Sequence, residues 1–163
     1  MLEKLKAKKA EVARLREERG ATDPILIIAG IAITLILLVG GSFAISGFIA
    51  NANNLNAKAD LDRIATSQAA FLAENDKYAG VGTGYTLASS LSALQNSSLG
   101  FTPTAGNAIK LFASGSGWVA MTKSASGAKY VRTSLSTAVT ETVPGTLPAG
   151  IDSATVTSGF SSL

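Results

Sequence analysis

From Ile25 to Ala50 the chain reads ILIIAGIAITLILLVGGSFAISGFIA, a nearly all-apolar run in which Thr34, Ser42 and Ser46 supply the only hydroxyls. No charged side chain falls between Pro24 and Ala57. As an α-helix the run is about 39 Å long, against roughly 30 Å of bilayer hydrocarbon. A chain of 163 residues holds one small core and cannot shield a helix that is apolar on every side. The run is therefore expected to lie in a membrane.

The charges flanking it are unevenly placed. Lys4, Lys6, Lys8, Lys9, Arg14, Arg16 and Arg19, against Glu3, Glu11, Glu17 and Glu18, all precede Ala21. The chain has 14 basic and 11 acidic residues in all, so seven of each remain and the body is neutral. Basic residues before a span favour a cytoplasmic N-terminus and a translocated C-terminal bulk. A neutral body does not favour nucleic acid as a partner. A cleavable secretory signal has a shorter apolar core, so a retained anchor is the better fit.

Cysteine and histidine are absent. That removes disulfides, thiolate chemistry, the usual nucleophile–base pairs and zinc sites. Asp60 and Asp62 read as solvated helix charges, and no enzyme activity, cofactor or metal is expected.

Residues Met1 to Arg19 form a charged run with helical propensity that Gly20 interrupts. Asp23 then suits an N-cap and Pro24 the first helical position, where a missing N–H costs nothing. Gly40, Gly41 and Gly47 make the outer half of the span its weak point, at about 1 kcal/mol per glycine relative to alanine. Gly40 with Ala44, and Ser42 with Ser46, also have the spacing that lets helices pack closely. Beyond the span, Leu55, Ala59, Leu61, Ile64, Ala65, Phe71 and Leu72 recur at helical spacing among charges, an amphipathic continuation over 51–78.

The order of charged leader, Gly20, small Ala21 and long apolar helix resembles the class III signal of type IV prepilins. The segment Gln68-Ala-Ala-Phe-Leu-Ala-Glu-Asn-Asp-Lys-Tyr78 is similar to the end of the pilin spine. The resemblance implies a cytoplasmic leader over 1–20, cut by a prepilin peptidase between Gly20 and Ala21, with Ala21 methylated. It implies a filament-core helix over 21–50, a homopolymeric or mixed-pilin filament, and a pilus assembly platform as partner. Members of that family carry a glutamate five residues into the mature chain, where this sequence has Ile25. The nearest acid is Asp23, read either as a substitute that pairs with a neighbouring amino terminus or as a simple N-cap. The resemblance does not separate major pilin, minor pilin and secretion pseudopilin.

After Tyr78 the composition turns to Gly, Ser, Thr and Ala. Gly80, Gly82 and Gly84 read as a flexible connection, Thr86 to Asn96 as a short helix, and Asn96-Ser97-Ser98 as a common glycosylation triplet. Strands are expected at Ala108–Ala113, Gly117–Lys123 and Ala128–Ser136, with a fourth at Ala138–Val143 before Pro144. Ile109, Phe112, Trp118, Met121, Tyr130 or Val131 is expected to pack on the helix, with the faces left open. The tail from Gly145 reads as an edge strand or loose segment. The expected class is α+β: a long N-terminal hydrophobic helix packed by its C-terminal half on a small antiparallel sheet of about four strands, with a head over 79–163. The rival to a filament subunit is a non-polymerising, single-pass anchored protein with an extracellular binding head.

Overall fold

The computed structural model describes residues 2–20, 23–80, 91–92, 94–95 and 100–163, without the side chains of residues 2, 5 and 15–20. In chain order the elements are helix α1 (Leu2–Gly20), helix α2 (Pro24–Asn75), strands β1 (Ala108–Ser114), β2 (Gly117–Lys123) and β3 (Lys129–Thr133), and helix α3 (Ser153–Ser161). The chain divides into two compact units, Met1–Ser46 and Gly47–Leu163. Residues 82, 84, 86–90 and 96–98, which carry the expected loop, most of the short helix and the glycosylation triplet, lie outside the described residues. Leu91, Ser92, Leu94 and Gln95 are helical.

Helix α2 is 52 residues long, about 78 Å at the standard rise. It ends at Asn75 because Asp76 turns to a left-handed φ of 54°, with its N–H bonded to Leu72 O at 2.9 Å. That is an αL cap built on an aspartate. Ala57, Leu61, Ile64 and Gln68 are fully buried, and their spacing places them on one stripe. Leu55, expected on that stripe, is 59% exposed.

The three strands form an antiparallel sheet in the order β1-β2-β3. Leu111 pairs with Ala120 and Phe112 with Val119 across β1 and β2, while Met121 pairs with Val131 across β2 and β3. Alternation along the strands sends successive side chains to opposite faces. Leu111, Trp118, Ala120 and Tyr130 pack with Ala57, Leu61 and Ile64 of α2. Phe112, Val119, Met121 and Val131 pack with Ile151 and Val156 on the other face. Of the six side chains offered for packing on α2, Phe112, Met121 and Val131 lie on the opposite face, because the sheet has two apolar faces and α3 covers the second.

The class is α+β, with three strands in place of four. Ala138–Val143 forms only a single bridge, Val131 to Thr140. The Thr140 hydroxyl bonds Thr142 O at 2.8 Å, a local side-chain bond that competes with a ladder. β3 stops at Thr133, where Ser136 N reaches back to Thr133 O at 3.4 Å. Nor is the tail a strand or loose. Asp152 caps α3 by accepting from Thr155 N at 2.8 Å and the Thr155 hydroxyl at 2.7 Å.

The other end of α3 is held by a lysine from each strand. Lys110 Nζ donates to Gly159 O at 3.0 Å, Lys129 Nζ to Phe160 O and Ser161 O at 2.9 Å each, and Lys123 Nζ to Leu163 O at 3.2 Å. Ammonium groups here satisfy carbonyls that the helix leaves open and match its negative dipole end. A Cβ on Gly159 would lie 3.0 Å from Phe112 Cζ and 3.2 Å from Met121 Cε, so glycine sets how closely α3 meets the sheet.

Candidate functional site

The apolar half of α2 begins at a built cap. Asp23 O accepts from Ile27 N at 3.2 Å, and Asp23 Oδ1 accepts from Ile25 N at 3.0 Å, so Asp23 is the N-cap and Pro24 the first helical residue. A carboxylate at this end also faces the positive pole of the helix dipole. Asp23 is exposed.

Beyond the cap, α2 is long and apolar enough to cross a membrane, and none of that stretch is buried within the protein. Ile25 is 73% exposed, Ile36 72%, Phe43 77% and Phe48 75%. The polar side chains in the run are internally satisfied. Thr34 Oγ1 donates to Gly30 O at 2.8 Å, Ser42 Oγ to Leu38 O at 2.8 Å and Ser46 Oγ to Ser42 O at 3.0 Å. In hydrocarbon an unpaired hydroxyl costs several kcal/mol, and these bonds remove that cost without a partner molecule.

Gly40, Gly41 and Gly47 are helical, and a Cβ built on any of them meets nothing within 4 Å. The chain's own packing therefore does not require glycine there. Gly20 is the last residue of α1, and Ala21 lies outside the described residues. Among the described residues no group of His, Cys, Asp or Glu could hold a metal ion.

Sequence reasoning missed a row of polar anchors on the C-terminal half of α2. Asp60, expected to be solvated, is fully buried. It accepts from Thr104 N at 3.1 Å, Thr104 Oγ1 at 2.8 Å and Asn107 Nδ2 at 2.7 Å, with Arg63 Nη2 at 3.4 Å. Asn54 Oδ1 accepts from the Ser124 and Ser126 hydroxyls at 2.8 and 2.6 Å, tying the β2–β3 turn. Gln68 Oε1 accepts from Ala79 N at 2.9 Å, and Gln68 Nε2 donates to Ala79 O at 3.3 Å. Asp62 behaves as expected of a surface charge, its side chain 64% exposed and paired with Arg132. The only local hint was that Asp60 falls between Ala57 and Ile64 on the buried stripe.

The chain matches no family model, no curated protein and no solved structure. What the described residues show is a long N-terminal apolar helix whose C-terminal half packs on a small antiparallel sheet, elements compatible with those of a pilin.

Proposed function

We propose that the chain is a structural subunit of a type IV pilus-like filament, held in the membrane as a precursor, trimmed after Gly20 by a prepilin peptidase, and assembled through α2. The observation that carries this reading is the stretch Ile25–Ile49, whose large hydrophobic side chains are exposed throughout while its hydroxyls are closed onto the helix itself. Such a surface needs lipid or other apolar helices around it. Burial against water is worth about 25 cal/mol per Å². Exchanging lipid for neighbouring helices gains far less, so extraction requires a motor and an assembly platform.

In this reading Gly20 is the processing site, Ala21 the methylated mature terminus, and Gly40 and Gly41 the contact or softening points of α2 in the filament. Asp23 stands where a charge can meet the amino terminus of an adjacent copy. Its capping bond uses one carboxylate oxygen and leaves the group exposed, so capping and pairing are compatible. The neutral body would coat the outside.

The test is to express the wild type, Gly20→Ala, Asp23→Asn and Asp23→Ala and to image filaments. Gly20→Ala is expected to keep the leader and abolish incorporation. If Asp23 pairs, Asp23→Asn keeps the cap but lowers assembly as much as Asp23→Ala does. Unaltered filaments from both Asp23 variants remove the pairing role. An unprocessed chain with no filaments in any background favours the anchored binding protein.

A further inference from the structure

Within the unit Gly47–Leu163, a cleft of about 280 Å³ opens between α2 and the end of β3, with Ala69, Leu72 and Tyr78 on one side and Trp118, Arg132 and Ser134 on the other. Its walls combine apolar surface with a guanidinium that is only partly matched among the described residues. Trp118 is only 5% exposed. Its backbone is satisfied, with Trp118 N donating to the Ser134 hydroxyl at 3.1 Å and Trp118 O accepting from Ser134 N at 2.9 Å. The side chain of Trp118 is part of the cleft wall.

Arg132 adds the donors. A guanidinium carries five N–H donors in a planar fork, and among the described residues Nη1 alone has an acceptor, Asp62 Oδ1. Nε is buried with no acceptor. Buried donors are normally matched, so this guanidinium is under-satisfied for its position. Asp62 holds the fork from the outside, its side chain 64% exposed against 14% for Arg132. A pair so open on one side is easily displaced.

We propose that this cleft binds a carboxylate carried on a planar or apolar body. The carboxylate takes the Nη groups of Arg132, the body rests on Ala69, Leu72 and Tyr78 beside Trp118, and Asp62 occupies the guanidinium when the cleft is empty. A carboxylate matches a guanidinium in two-point geometry, and the aromatic side chains supply a face for a flat ligand. An aromatic acid and an acidic sugar share this chemistry. The proposal stands whether or not the chain polymerises.

Trp118 is the sole tryptophan, so its fluorescence reports on the cleft directly. The full chain in detergent micelles is titrated with benzoate, with glucuronate and with neutral glucose. A saturable change with benzoate or glucuronate and none with glucose is expected, and the responding probe identifies the source. Asp62→Asn frees the fork and tightens binding about two- to fivefold, the worth of an exposed ion pair. Arg132→Gln weakens it about tenfold or more, as for loss of a charge-assisted bond. An absent response in both wild type and Asp62→Asn overturns the proposal. So does an equal response to glucose, or an unchanged Kd in an Arg132→Gln chain whose circular dichroism is native. Should Arg132→Gln not fold, the direction of the Asp62→Asn shift decides, and no tightening overturns it.

Discussion

Asp60 and Asp62 sit two positions apart in one charged stretch, yet they face opposite demands. Asp60 is fully buried and accepts from Thr104 and Asn107, which lie 44 and 47 residues further along the chain. Nothing local to Asp60 announces those partners, and for that reason the sequence reading left it in water. Replacing it with alanine strands their donors and opens a small void. Asp60→Ala is therefore expected to cost about 2–4 kcal/mol, and Asp62→Ala no more than about 1 kcal/mol. Denaturant unfolding followed by Trp118 fluorescence measures both, and equal effects would mean that Asp60 does not anchor the 101–107 segment. Asp23, by contrast, was legible as a cap because capping is a matter of neighbours: Pro24 follows it and Ile25 N lies 3.0 Å from its carboxylate.

Among the elements, β2 matched its expected bounds because Gly115-Ser116 and the Ser124–Gly127 turn punctuate it on both sides. Helix α3 was missed because SATVTSGFS contains few strong helix formers and five of its nine residues are Ser or Thr. Its formation rests instead on the Asp152 cap, on Val156 entering the core, and on the lysines closing its last turn. Asp152-Ser-Ala-Thr155 was the visible signal. Two predictions follow from how α3 is held. Gly159→Ala drives a methyl to within 3.0 Å of Phe112, and overpacking of this kind costs about 1–3 kcal/mol. Thermal unfolding checks it, and a variant as stable as the wild type would show that α3 can shift freely. The second concerns pH. The hydroxyl of Thr155, and then its backbone N–H, hold the Asp152 carboxyl below its ordinary value. A lowered folded-state pKa gives stability that is present above the unfolded value of about 3.9 and lost as pH falls through the folded one. Hydrogen exchange in α3, corrected for intrinsic rates, should accelerate as pH falls below the unfolded carboxyl value of about 3.9 and change less in Asp152→Asn. Equal acid sensitivity in the two chains would count against the cap.

At the scale of the whole chain, the α+β class, the long helix and its apolar stretch were legible because they are set by run length and period. Which of Ile109, Phe112, Trp118, Met121, Tyr130 and Val131 pack on α2 was not legible, because a sheet with two apolar faces looks the same in sequence as one with a single broad face until something is known to cover the second. The open stretch of α2 is the feature that a filament account explains and a free soluble protein does not. The account turns on what happens at Gly20. Filaments sheared from cells expressing this chain, purified and examined by mass spectrometry, should contain a subunit that begins at a methylated Ala21. A subunit that retains Met1 to Gly20 in assembled fibres, or fibres that lack the chain while its trimmed form stays in the membrane, would contradict it.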